Sequence, residues 1–251
     1  MLSNSVIAVT ISDKIMINIS RDNNLLSVDQ HISGFRLEPI VNLFSGHVIS
    51  HEVLSQLAAP SRDSEVFFAN LSAADSVTLF CRQANLLKSR QASGSFFLNL
   101  PIMALIDERL FARLLDVCES WITIEIQDAP LFDTCSRRHQ LCLRERIKLL
   151  QQQRISVWLD DLTEGCIESF HRYAIDVGGV KIDKQAFWTL GKNPRVLQRL
   201  VAQCADISPH IIIEGIEDTH HLELARQSGA SFGQGYLWPH KRWLLSDTLS
   251  L

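Results

Sequence analysis

The chain has 251 residues, 46% of them apolar and 21% charged, with a formal net charge of -4. That length suits one large α/β barrel or two small domains, and that balance excludes a disordered polymer. The mild negative charge gives no pull toward long nucleic acids or anionic membranes, so a phosphate ligand must be held by local metal or lysine.

Residues 1–32 alternate apolar positions around Ser12-Asp13-Lys14 and read as an N-terminal extension with the pattern of a small hairpin; 33–251 form the main domain. Phe35 to Val41 and Val48 to Leu54 are two strands joined by Asn42-Leu43-Phe44-Ser45-Gly46-His47, a hairpin-type connection. Helical periodicity then runs from Ser64 to Lys88 through Val66, Phe67, Leu71, Val77, Phe80 and Leu87. Beyond it, strands and helices alternate: strand 95–100, helix 103–118, strand 121–126, helix 138–153, strand 155–160, helix 165–172. The series continues with strand 178–182, helix 194–206, strand 210–214, helix 218–228 and a short strand near 231–235. The stripe Val196, Leu197, Leu200, Val201 lies at helical spacing and reads as core. This order predicts an α/β fold, a closed (β/α)8 TIM-like barrel, rather than a segregated α+β one.

The cysteines Cys81, Cys118, Cys135, Cys142, Cys166 and Cys204 form no CxxC pair and no zinc-ligand spacing. No cationic leader precedes Val6-Ile7-Ala8-Val9, and no run reaches the roughly 20 apolar residues of a membrane span. A soluble protein of the reducing cytoplasm, without disulfides, is the expectation.

Five apolar runs end in a side chain able to bind metal or move protons. They are Phe96-Phe97-Leu98-Asn99, Trp121-Ile122-Thr123-Ile124-Glu125, Val157-Trp158-Leu159-Asp160-Asp161, Gly179-Val180-Lys181 and Ile211-Ile212-Ile213-Glu214. Runs of this kind are buried parallel strands, and in a barrel their carboxyl ends converge on one mouth. Asn99, Glu125, Asp160, Asp161, Lys181 and Glu214 would then meet, a set that suits divalent cations acting on a phosphate. Singly, each has a plainer reading. A strand-end acid such as Asp128, Asp161 or Asp218 is more often the N-cap of the next helix. Lys181 alone would be a solvated or paired lysine, Gln234 a turn residue, and Asn99 a turn former before Leu100-Pro101. Those readings must explain every strand end independently. His51 points to the face opposite Glu52 and reads as packing; His220-His221 reads as surface.

These residues also resemble a known family. Glu52-Val53-Leu54 looks like the signature of EAL domains, the cyclic di-GMP phosphodiesterase superfamily, here as a stand-alone domain. Glu38-Pro39-Ile40-Val41, with Ser45-Gly46, is similar to the family's opening motif, and Leu98-Asn99-Leu100 to its strand-end asparagine. Glu125-Ile126-Gln127-Asp128 resembles ExTE, and Asp160-Asp161-Leu162-Thr163-Glu164-Gly165 stands where the family has DDFGTG. Lys181-Ile182-Asp183, Glu214-Gly215-Ile216-Glu217 and Gln234-Gly235-Tyr236 match KID, EGVE and QGY, all in order between Phe35 and Pro239. The resemblance implies a barrel whose first strand is antiparallel and a metal-dependent hydrolysis of cyclic di-GMP to linear pGpG, lowering a second messenger of biofilm and motility control. It implies Glu52, Asn99, Glu125 and Asp160 as ligands of one Mg2+ or Mn2+. Asp160 would bridge to a second ion held by Asp161 and Glu214. Glu52, Lys181 and Glu214 would be catalytic, with Lys181 orienting the attacking water and Glu214 as general base. Leu54, Gln56 and Gln234 would bind substrate, Asp128 would support the loop after Asp160, and a homodimer is the implied assembly.

The sequence departs from the family pattern in three places. Gln56 stands where ExLxR has arginine and lacks the bidentate, permanently charged contact of a guanidinium. Thr163 and Glu164 replace a glycine and a threonine, removing backbone freedom and adding charge. Asp128 is shorter than the family's glutamate. These departures favour an alternative: a catalytically inactive EAL-like regulator that binds cyclic di-GMP or a protein partner, such as a motility or transcription regulator. A third reading, a different barrel enzyme acting on a sugar phosphate or enolate, conflicts with the motif order.

Overall fold

The computed structural model describes residues 28–59, 63–162 and 164–245; the expected N-terminal hairpin lies outside the described residues. Strand β1 (Ile32–Asn42) and strand β2 (Val48–Leu57) form an antiparallel hairpin in which Glu38 faces Glu52 and Arg36 faces Leu54. Its tip is an Asx turn, with the Asn42 carboxamide oxygen accepting the backbone N–H groups of Phe44 (3.0 Å) and Ser45 (2.8 Å).

From β2 the sheet continues in parallel through β3 (Phe96–Leu100), β4 (Ile122–Ile126), β5 (Ser156–Leu159), β6 (Gly179–Ile182), β7 (Ile211–Ile213) and β8 (Phe232–Gly233). Strand β8 returns antiparallel to Val41 and Asn42 of β1, which closes an eight-stranded mixed barrel of the TIM-like (β/α)8 kind. Every residue of β4, β6 and β7 is buried, as expected for strands covered on both faces. A ninth strand, β9 (Lys241–Leu244), pairs antiparallel with Gly34 to Leu37 of β1. Its sequence Lys-Arg-Trp-Leu is largely exposed and carries no apolar run to announce it.

Helices cover the outside. The periodicity over 64–88 divides into α1 (Ser64–Ala69) and α2 (Ala73–Ser89), because Ser72 caps the second helix through the Asp75 N–H. The run over 103–118 likewise divides into α3 (Ile102–Ile106) and α4 (Glu108–Leu115), where Asp107 is extended and its carboxylate accepts from the N–H groups of Arg109 and Leu110. Then come α5 (Arg137–Gln152), α6 (Glu164–Arg172), α7 (Lys184–Leu190), α8 (Pro194–Ala205) and α9 (Thr219–Ser228). Helix α8 has proline in its first turn and α9 ends at Gly229 with φ +92, the usual signals at those ends. Leu197, Leu200 and Val201 face the core, as their spacing predicts, whereas Val196 at the stripe's edge is only half-buried.

Side chains two residues apart share a face of a strand, so the barrel interior fills in layers taken from alternate strands. The lower layer is apolar: Ile40 of β1, Phe97 of β3, Trp158 of β5 and Ile212 of β7 form one cluster, with Phe232 of β8 against it. Phe97 and Trp158 meet edge to face at 5.0 Å. Trp158 fits only because β6 opens with Gly179, where a Cβ would lie 2.5 Å from the indole ring. Two residues toward the mouth come Glu38, which precedes Ile40 in antiparallel β1, Asn99 of β3, and Asp160 and Glu214 just after β5 and β7, while the even strands send in Glu52, Glu125, Lys181 and, just after β8, Gln234. The apolar layer is thus a floor beneath a polar mouth.

Candidate active site

The mouth is organised around Lys181. Its ammonium lies 2.6 Å from Glu125 Oε1, 2.5 Å from Glu214 Oε1, 3.2 Å from Glu52 Oε2 and 3.7 Å from Asp160 Oδ1. The Lys181 and Glu125 side chains are 1% and 0% exposed, whereas Asp160 and Glu214 keep 17% and 21% at the opening. Glu52 is gripped from the other side, its Oε1 accepting from Asn99 Nδ2 (2.8 Å) and its Oε2 from Gln234 Nε2 (2.6 Å). The same Gln234 amide reaches Glu38 Oε2 at 3.2 Å, and Glu38 Oε1 pairs with Arg36 Nη2 at 2.8 Å. Carboxylate oxygens of Asp160, Asp161 and Glu214 lie within 4.8 Å of one another. Two backbone positions shape that group. Asp161 adopts φ +53, left-handed space that aspartate tolerates better than most residues. Gly215, at φ +75, lies so close to Lys184 that a Cβ would come within 2.5 Å of the lysine Cβ.

Seven of the residues expected at the site, Glu52, Asn99, Glu125, Asp160, Lys181, Glu214 and Gln234, therefore meet in one network, and Asp161 adjoins it. Leu54 and Gln56 share the inward face of β2 with Glu52 but sit nearer solvent. There they line a cleft of about 750 Å³ with Arg36, Gln127, Lys184 and Tyr236. That volume falls within the roughly 300–1,000 Å³ of small-ligand pockets. Asp128 stands apart: its Oδ1 accepts the Ile102 N–H at 2.7 Å and ties the end of β4 to the start of α3. The loop it is expected to support includes residue 163, outside the described residues. The plainer reading holds for Asp218, which caps α9, and Asp183 likewise caps α7. His51 stacks on Phe96 away from the mouth, as its position on β2 predicts. His221 is not free surface, since its ring packs against Phe187 and Trp188. Arg36 carries no motif signal in the sequence, and Glu38 none beyond a motif match; the signal is the hairpin register, which puts Glu38 opposite Glu52.

Burial sets the electrostatics. It raises Glu125 well above the ordinary carboxylate range, with repulsion from Glu52 adding to it. Burial also raises Asp160, pushes Glu214 up to about 8, and with repulsion from Asp160 and Asp183 pushes Asp161 up to about 6. Glu52 is the exception: burial opposes its charge, but Lys181 and the hydrogen bonds from Asn99 and Gln234 hold it low. Burial likewise works against the Lys181 ammonium, yet Asp160, Glu125, Glu214 and Glu52 together raise its pKa.

The donor set fits divalent cations. Five carboxylates and a carboxamide offer hard oxygen ligands, and Lys181 alone cannot balance the carboxylate charge. Three buried side-chain oxygens, Glu125 Oε2, Asp160 Oδ1 and Gln234 Oε1, have no hydrogen-bond partner among the described residues, an arrangement that is rare without a ligand. Glu52, Asn99, Glu125 and Asp160 would hold one ion, and Asp160, Asp161 and Glu214 a second. Gln234 orients Glu52 from behind. Gln234→Ala should therefore lower Mn2+ affinity about 10- to 100-fold, the usual cost of losing such a partner. Titration of the melting temperature with Mn2+ measures it; unchanged affinity would make the Gln234–Glu52 bond merely structural.

A polyanionic mouth over an apolar floor, in a barrel whose first strand is antiparallel, defines a class of α/β barrel. The chain belongs to the EAL-domain family, whose model matches residues 27–240. No curated protein matches it by sequence. Among solved structures, the EAL enzyme Bd1971, in a form with cAMP and cyclic di-GMP bound, is 18% identical with a TM-score of 0.64, over 88% of this chain and 64% of that one. An EAL-domain protein from Listeria monocytogenes is 16% identical with a TM-score of 0.67, over 89% of this chain and 93% of that one. BlrP1 of Klebsiella pneumoniae, solved with manganese and cyclic di-GMP, is 18% identical with a TM-score of 0.68, over 85% of this chain and 60% of that one. The chain thus spans under two thirds of the length of Bd1971 and BlrP1. No helix among the described residues is long and apolar enough to cross a membrane.

Proposed function

We propose that the protein is a cytoplasmic phosphodiesterase that hydrolyses cyclic di-GMP to linear pGpG with two Mg2+ or Mn2+ ions. The reading rests on one observation: oxygen ligands from successive strand ends converge around Lys181 and leave buried acceptors unpaired. When bound, a pair of divalent ions activates water and stabilises the leaving oxygen of an in-line displacement at phosphorus. The chain's own residues do the rest. The apolar floor shuts water out from below, and Lys181 supplies a fixed positive charge near the nucleophile. Glu214, at the opening, takes up the proton of the attacking water as general base. The relatives' complexes with cyclic di-GMP support the choice of substrate.

Gln56 favours a second reading, in which the domain binds the dinucleotide, a second copy or a protein partner without turnover. Purified protein with Mn2+ or Mg2+ and cyclic di-GMP, followed by chromatography for pGpG, separates the two. Product appearance is the expected result. Dinucleotide binding without product would leave the receptor reading, and neither would leave a protein-interaction role.

A further inference from the structure

We propose that Arg36 of β1 is the phosphate anchor of the cleft, supplying from the neighbouring strand the guanidinium that β2 lacks at Gln56. The inference rests on the cyclic di-GMP reading above and deepens it.

The hairpin register makes the substitution geometrically sound. Gly34 faces Gln56, Arg36 faces Leu54 and Glu38 faces Glu52, so Arg36 and Gln56 are diagonal neighbours on one face of the hairpin. Such neighbours are about 7–8 Å apart at Cα, within reach of an arginine side chain. Because β1 runs antiparallel to β2, Arg36 lies one pleat repeat, about 7 Å, above the Glu38–Glu52 rung on the way out of the barrel. It lines the cleft together with Leu54 and Gln56.

Charge points the same way. A cyclic dinucleotide brings two phosphodiester charges into a cleft whose walls carry the acids Glu52, Glu65, Asp160 and Asp161. Among the described residues that line it, the cations are Arg36 and Lys184. Without them the walls would repel the ligand everywhere except at the metal positions.

A purely internal role for Arg36 leaves something over. Its Nη2 pairs with Glu38, and Glu38 is in turn held by Gln234. That chain of bonds fixes the guanidinium but leaves the buried Nε–H with no partner. A guanidinium carries five N–H donors in a planar fork that matches two oxygens of one phosphate. An arginine fixed on one edge, with a buried donor unpaired, is preorganised for an anion.

The test is dinucleotide affinity of the full chain in EDTA, where no turnover occurs, together with KM in Mn2+. Arg36→Ala should weaken binding or raise KM at least tenfold with kcat little changed. Arg36→Lys should fall between the parent and Arg36→Ala, keeping the charge without the fork. The swap Arg36→Gln with Gln56→Arg should recover most of the affinity, which a merely structural arginine would not allow. Melting temperatures identify any variant that fails to fold, and the swap then carries the decision. Parent-like affinity and KM in Arg36→Ala, or a swap no better than Arg36→Gln alone, would overturn the assignment and leave the proposed function standing. A parent protein that neither binds nor hydrolyses the dinucleotide would overturn both.

Discussion

Lys181→Met should destabilise the metal-free protein by about 3–5 kcal/mol at pH 8, the range seen when one partner of a buried ion pair is removed. Lys181 is 1% exposed and touches Glu52, Glu125 and Glu214, with Asp160 just beyond. Without its ammonium those carboxylates must either stay charged in a desolvated mouth or take up protons. The second option gives the pH dependence. An acid whose pKa is raised on folding binds more protons folded than unfolded between its two pKa values, so stability falls as pH rises through that window. For Glu214 the window runs from its ordinary 4.5 to about 8, and for Asp161 from 3.8 to about 6. The parent protein in EDTA should therefore lose stability from pH 5 to pH 8. The variant should lose more, because Lys181 no longer offsets the repulsion. Urea unfolding in EDTA at pH 5.5 and pH 8 measures both slopes. A variant as stable as the parent at pH 8 would show that Lys181 does not neutralise the mouth.

Which features were legible in the sequence follows from where their information lies. Parallel strands buried on both faces must be continuous apolar runs, so the polar residue ending each run stands out, and Asn99, Glu125, Asp160, Lys181 and Glu214 were all readable. Helix breaks were not. The apolar spacing continues across Ser72 and Asp107, and only the capping bonds of those two side chains divide each run. Helix α7 escaped because Phe187 is its one fully buried residue, and β9 because its residues face solvent. Arg36 and Glu38 escaped for another reason. Their place beside Glu52 depends on cross-strand register, which no window along the chain contains. Asp128 was readable only as a motif position: its carboxylate holds the Ile102 N–H, and the loop it is expected to support includes residue 163, outside the described residues.

Asp160→Asn should reduce Mn2+-dependent formation of pGpG by about 10³-fold or more. In the proposed arrangement Asp160 would serve both groups of ligands: its Oδ1 lies 3.7 Å from Lys181, and its carboxylate is within 4.8 Å of those of Asp161 and Glu214. Among the described residues no other side chain in the mouth would be common to both, so its loss would weaken two ion positions at once. Divalent ions typically supply several kcal/mol of transition-state stabilisation. At about 1.4 kcal/mol per factor of ten, losing roughly 4 kcal/mol corresponds to three orders of magnitude. The substitution preserves shape and keeps one acceptor oxygen, so the fold should survive. It also removes a charge that raises Glu125 and Glu214, so both acids should titrate lower in the metal-free variant. Activity and stability therefore move in opposite directions: turnover collapses while the melting temperature in EDTA at pH 8 holds or rises. A loss of both would mean that Asp160 supports the barrel rather than the ions. Retention of turnover within tenfold would mean that the two ligand groups do not share this carboxylate. The opposed pair of readouts separates a site that holds cations from an acidic mouth that only tolerates its own repulsion.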